Sequence, residues 1–117
     1  MQIINHRIPM WFQDGDGGRQ MLPEFKGKTC IDLVIEGYRT GTSRDMSKQY
    51  NKIDIKVGDV ILFFNGSKKV LVEVTKEPYP IKSITKEEWS KLECWDSSVY
   101  DRLNNKYQQY QYKLLNV

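Results

Sequence analysis

The sequence is poor in soft metal ligands. It has one histidine, His6, and two cysteines, Cys30 and Cys94, which sit far apart and in no CxxC pair. That is too few for an ordinary zinc site, so no metal and no cofactor is expected. The two cysteines are expected to stay reduced and partly buried, as small hydrophobes in a reducing compartment. No apolar run approaches the ~20 residues that span a bilayer, which excludes a membrane-spanning helix. The opening MQIINHRIPMWF has no basic flank followed by an unbroken apolar stretch, so no secretory signal is expected there and the expected location is cytoplasmic. Internal repeats, low-complexity tracts and dividing linkers are also missing. At 117 residues the chain is expected to be a single domain with one core.

What is present fits an ordinary globular protein, with 39% hydrophobic and 28% charged residues. The net charge is only +3, but it is unevenly spread. Residues 38–82 hold nine Lys/Arg against five Asp/Glu, whereas 83–117 hold five of each. A basic surplus of this size suits a phosphate-bearing ligand but would not by itself hold duplex DNA at physiological salt. It equally suits a lysine-rich surface that keeps strand edges from pairing.

Patterning predicts the elements in turn. Gln13–Gln20, with three glycines and two aspartates, predicts a flexible loop. Its Gly15-Asp16-Gly17-Gly18 run lacks the Lys-Ser/Thr and the strand-to-helix setting of a phosphate-binding loop. Thr29–Glu36 predicts a short buried helix capped by Thr29, with Asp32 at the third position and Gly37 as its left-handed terminator. Tyr38–Asp45 predicts a turn into a strand. Val60–Phe64 and Lys69–Thr75 predict a hairpin across Asn65-Gly66, ended by Pro78 and Pro80. Thr85-Lys86-Glu87-Glu88 is a capping box opening a helix to about Leu92. A second helix is expected from Asp96 or Ser97, and Gln109–Leu115 alternates as a closing strand. These elements predict an α+β fold: a mostly antiparallel sheet or small barrel with helices packed across it.

With those residues placed, the chain resembles an ASCH domain, a branch of the PUA-like barrels. The resemblance lies in Ile35-Glu36-Gly37-Tyr38-Arg39-Thr40-Gly41-Thr42-Ser43-Arg44, then Val57-Gly58-Asp59, then Val72-Glu73-Val74-Thr75. The helix Glu87–Glu93 and the strand Tyr112-Lys113-Leu114 complete it, and Leu22-Pro23-Glu24-Phe25 is similar to the segment leading into the first helix. It covers about residues 22–117 and leaves 1–21 as an extension, read as a first strand and loop. The resemblance implies a small PUA-type β-barrel with a cleft between barrel and helices, and a module that binds RNA. It also implies a possible enzyme, because one branch resembles an amidohydrolase acting on N4-acetylcytidine. That branch uses a lysine, a threonine three residues later, and a glutamate on the later helix. By position these fall on Arg39, Thr42 and Glu93. Arginine in place of lysine removes a group that can shed its proton, since a guanidinium stays charged in proteins.

Read by themselves, Thr40, Thr42 and Arg44 fall on one face of a strand, and Arg39, Gly41 and Ser43 on the other. The first set makes a polar stripe fit for a phosphate or a base edge, or simply a half-exposed strand with Arg44 paired to Asp45 or Asp59. Gly41 would let a ligand approach the backbone. Arg39 must leave the alternation to join Thr42. Trp11, Trp89, Trp95 and Tyr79 are candidate stacking surfaces or core residues. Glu93 is either a cleft residue or a solvated neighbour of Lys91 or Lys86.

The expected function is therefore a binding module for RNA, single-stranded nucleic acid, a nucleotide or a modified nucleoside, acting as a monomer or weak dimer. The expected ligand contacts are Arg39, Thr40, Thr42, Arg44, Tyr79 and Trp89, beside the Glu93 helix. The alternative is a small hydrolase of the same fold, an amidohydrolase or ribonuclease, with Arg39, Thr42 and Glu93 as its catalytic set.

Overall fold

A computed structural model describes residues 7–11, 21–25, 27–47, 54–64, 68–104 and 106–115. The expected loop Gln13–Gln20 and the Asn65-Gly66 turn lie outside the described residues. Strand β1 is Arg7–Trp11, and helix α1, Cys30–Ile35, follows a 3-10 turn at Pro23–Phe25. Then come β2 (Gly41–Asp45), β3 (Val60–Phe64) and β4 (Lys69–Pro80). Helices α2 (Lys86–Glu93) and α3 (Ser97–Asp101) precede the last strand, β5 (Tyr107–Leu114). The sheet order is β1-β3-β4-β5-β2. Four of these strands run antiparallel and curl into a half-barrel, while β1 adds in parallel along β3. Residues 1–21 thus contribute an edge strand.

Local chemistry sets the helix ends. At α1 the Thr29 hydroxyl accepts the Asp32 N–H, and the Asp32 carboxylate accepts the Thr29 N–H. The same carboxylate pairs with Lys68, and that bond together with the Thr29 contacts holds it below its ordinary value. Gly37, at φ 84°, turns the chain out of the helix where a side chain would be strained. At α2, Thr85 and Glu88 close the expected capping box. Asp96 caps α3 through the Ser98 N–H at 2.8 Å.

The expected hairpin is formed, with Val60 opposite Glu73 and Phe64 opposite Lys69. Its second strand does not end at the prolines, however; β4 runs on to Pro80. The extension is possible because β3 pairs only as far as Glu73, and among the described residues no strand pairs with that edge of β4 beyond it. Register shifts between Val74 and Lys76 and between Lys76 and Tyr79 carry Pro78 past β5 without a ladder bond.

The main core packs Ile31, Leu33 and Val34 of α1 against Ile61, Phe63, Val72, Val74, Tyr110 and Tyr112 of the sheet. A second cluster of Ile81, Trp89 and Val99 holds α2 and α3 together, and Trp95 packs against both clusters. No helix among the described residues is long and apolar enough to cross a membrane.

Candidate functional site

The site forms where an edge strand meets two helices. Among the described strands β2 ends the sheet, and α2 lies across one of its faces. Consecutive residues Thr42, Ser43 and Arg44 therefore all reach a cleft of about 350 Å³ between β2, α2 and α3. Arg39, Trp89, Glu93, Trp95, Arg102 and Tyr107 are among its other walls. The volume lies at the lower end of small-molecule sites.

Two features bring the distant Glu93 to β2. The Thr40 N–H donates to the Leu92 carbonyl at 2.9 Å, tying the strand entrance to the end of α2. Gly41 then lets the helix come close. A Cβ built there would stand 3.1 Å from Leu92 Cβ and 3.2 Å from Gln109 Nε2. The approach that Gly41 permits is thus made by the protein's own α2 and β5, not by a ligand. Gly41→Ala is expected to cost about 1–3 kcal/mol through overpacking, read as a lower denaturant midpoint with unchanged slope.

Glu93 is the hub of the polar floor and is 4% exposed, so the solvated alternative is overturned. Its Oε1 accepts Arg39 Nη2 at 3.2 Å, and its Oε2 accepts the Ser43 hydroxyl and Gln109 Nε2, the latter at 2.8 Å. Trp89 Nε1 donates to Ser43 Oγ at 3.0 Å, which sends the single Ser43 proton towards Glu93. Arg39 also donates to the Gly41 carbonyl at 3.3 Å and to Thr42 Oγ1 at 3.4 Å, and its guanidinium lies 5.6 Å from the Trp95 ring centre. Burial pushes the Glu93 carboxyl above its ordinary range, while Arg39, Ser43 and Gln109 pull it back. Glu93 in turn holds Arg39 firmly charged.

The expected site residues divide clearly. Arg39, Thr42, Arg44, Trp89 and Glu93 line one cleft, and Arg39 does leave the strand alternation to meet Thr42. Thr40 and Tyr79 are not among the lining residues; Thr40 is pinned through its backbone, and Tyr79 stands behind Glu93, bonded to Gln109. Trp89 is only 1% exposed and its N–H is spent on Ser43, so it holds the cleft in shape. Arg44 meets the Tyr110 hydroxyl. Trp11 lies on the far edge strand β1.

Sequence reasoning missed Ser43, Gln109, Arg102 and Tyr107. Ser43 was assigned to the wrong side of the functional stripe because an open edge exposes both faces of a strand. The Ser43–Gln109 pairing is a β2–β5 register partnership, which one sequence does not reveal. Among the described residues, no lysine of the basic stretch lines the cleft. Lys68 pairs with Asp32, Lys76 lies 4.4 Å over Tyr79, and Lys82 lies 3.8 Å over Tyr100. The cleft's cations are arginines. Both cysteines are buried and neither forms a disulfide, and burial pushes the Cys94 thiol to about 11, which leaves it protonated and unreactive at neutral pH. Among the described residues no three His, Cys, Asp or Glu side chains are grouped to hold a metal.

The curled sheet with helices packed across it has counterparts among solved structures. An ASCH domain from Lactobacillus crispatus superposes with a TM-score of 0.58 over 93% of this chain and 79% of its own, at 12% identity. The fold is that of an ASCH domain. A DUF984 protein from Enterococcus faecalis superposes with a TM-score of 0.57 over 98% of this chain and 82% of its own, at 18% identity. At these identities the likeness establishes the ASCH-type α+β fold and nothing finer. No family model and no curated protein matches the sequence.

Proposed function

We propose that this ASCH-fold cleft binds a nucleotide, a modified nucleoside or a nucleotide unit of single-stranded RNA or DNA. The observation that carries the reading is that Arg44, Arg102, Trp95 and Tyr107 together line one small cleft. A guanidinium offers paired donors to a phosphate, and aromatic faces accept a base of any sequence by stacking. The buried floor below them is held in shape by the hydrogen bonds of Arg39, Ser43, Trp89 and Gln109 around Glu93.

The hydrolase alternative has one observation in its favour: Arg39 Nη2 touches both Thr42 Oγ1 and Glu93 Oε1. The chemistry weighs against it. Arg39 cannot take the Thr42 proton, and both Glu93 oxygens are engaged by donors rather than by Thr42.

The test is a titration of nucleosides, nucleotides and short single-stranded RNA and DNA, at low and moderate salt, against wild type and Arg44→Ala. Salt-sensitive binding to wild type, weakened at least tenfold in the variant, is the expected result, since charge-assisted hydrogen bonds are worth about 1.5–3 kcal/mol. No binding by wild type overturns the reading. An added arm incubates N4-acetylcytidine with wild type and Arg39→Lys. Deacetylation that rises in the lysine variant would make the cleft an amidase cleft.

A further inference from the structure

Behind the floor of the cleft, a row of side chains crosses three strands on one face of the sheet. Ser43 on β2 lies opposite Gln109 on β5, and Gln109 lies opposite Tyr79 on β4. The register shift before Tyr79 is what brings it there. Gln111, two residues along β5, shares this face. The hydrogen bonds form one continuous chain. Gln111 Nε2 donates to the Tyr79 hydroxyl at 2.8 Å, Tyr79 donates to Gln109 Oε1, and Gln109 Nε2 donates to Glu93 Oε2 at 2.8 Å. Gln109 is fully buried, whereas Tyr79 and Gln111 are half-buried, so the chain runs from near the surface to the hub of the site.

Donor counting gives this chain a direction. Arg39 is donor-only, and the Trp89 N–H fills one acceptor position of Ser43, whose proton is directed to Glu93. The Arg39 arm on Glu93 therefore delivers hydrogens whatever its protonation state, and the Ser43 arm delivers one in the arrangement seen. The Gln109 amide is different, because turning it over exchanges a donor for an acceptor. Its direction is set by the Tyr79 hydroxyl, which has one hydrogen and stands between two amides. While Gln111 donates to Tyr79, Tyr79 must donate to Gln109, and Gln109 must present N–H to Glu93. A protonated Glu93 is accommodated by the reverse order, with all three bonds inverted together.

We propose that Tyr79 is a positioning residue that, through the Gln109 amide, decides whether Glu93 serves as acceptor or donor at the floor of the cleft. Gln111 is then the control point nearest solvent. The neighbours of Glu93 do not compete for this role. Arg39 and Arg44 face it as permanent cations. Its other titratable neighbours are Tyr79, Cys94, Tyr110 and Tyr112. Burial pushes each of them up, Cys94 to about 11 and Tyr110 to about 12, so none changes charge where a carboxyl titrates. Glu93 is also the one carboxylate among the cleft-lining residues. Its protonation removes a negative charge that Arg39 and Arg44 face and strengthens the hold on an anion as pH falls. That last consequence rests on the proposed anionic ligand; the hydrogen-bond chain does not.

The experiment follows the Glu93 carboxyl carbon by NMR during a pH titration of the full chain without ligand, with Glu93→Gln identifying the resonance. Gln111→Glu makes the outer residue acceptor-only and is expected to raise the Glu93 pKa by about one unit or more. Gln111→Lys makes it donor-only and is expected to lower it. Introducing Tyr79→Phe, which keeps the ring under Lys76, is expected to abolish most of both shifts. Equal shifts with and without the Tyr79 hydroxyl would overturn the proposal, because the new charges would then act through space. Should Tyr79→Phe not fold, the Gln111→Glu shift is measured at low and high salt. A shift carried by hydrogen bonds persists, while one that fades with salt overturns the relay. Because no ligand enters the titration, its outcome is independent of whether nucleotides bind.

Discussion

Replacing Arg39 by methionine is expected to lower stability by about 3–5 kcal/mol, because it strands a carboxylate that was buried against a cation. The side chains of Arg39 and Glu93 are only 6% and 5% exposed, so water does not replace the lost partner. Methionine fills much of the space beside Trp95, which keeps the cost from being one of volume. Urea denaturation at neutral pH measures it. The double variant Arg39→Met/Glu93→Gln is expected to recover most of the loss, since it removes the stranded charge as well. The deficit also depends on pH, with a definite sign. In the single variant the folded-state pKa of Glu93 rises further above its unfolded value. Such a group contributes stability below the unfolded pKa and loses it as pH rises through the folded one. The deficit is therefore smallest under acid conditions, below the ordinary glutamate value of about 4.3, and grows towards neutrality.

The second large effect is expected at Trp89. It is 1% exposed and fills the smaller core with Ile81 and Val99, its ring 6.0 Å from that of Tyr100. Trp89→Ala is expected to cost about 3–5 kcal/mol through the cavity it leaves. Trp89→Phe keeps most of the packing and deletes the indole N–H that serves Ser43, so it is expected to cost about 1–3 kcal/mol. Thermal denaturation of the two variants separates packing from hydrogen bonding. If both lost the same amount, the ring volume would contribute little and the hydrogen bond nearly everything. The alanine variant is also expected to bind any cleft ligand poorly, because α2 carries Glu93 and is held over β2 by this residue.

These two residues differ in how far the sequence exposed them. Trp89 stands three residues before Leu92 on a capped helix, and helical spacing alone marks it as core. Arg39 follows a helix-ending glycine, and only its likeness to a family position marked it for the site. The structure gives both a reason that the sequence lacked: they meet one carboxyl group from opposite sides, Arg39 directly and Trp89 through Ser43.

Local chemistry was legible wherever it acts over three or four residues. The caps at Thr29 and Thr85, the stop at Gly37, and the apolar strands of the hairpin depend on neighbouring residues. Their order was enough to imply an α+β sheet with helices across it. Three things depended on contacts between distant segments. The parallel pairing of Arg7–Trp11 along β3 joins residues more than fifty apart, and no local pattern specifies it. The passage of β4 through two prolines required knowing that β3 pairs with it only as far as Glu73. The row Ser43–Gln109–Tyr79 required the registers of three strands and a bulge. By itself the sequence determined which segments become helices and strands, because capping, turn chemistry and apolar alternation are short-range. Only the tertiary structure decided which polar residues share Glu93, because strand register and the close approach at Gly41 bring them together from three separate stretches of chain.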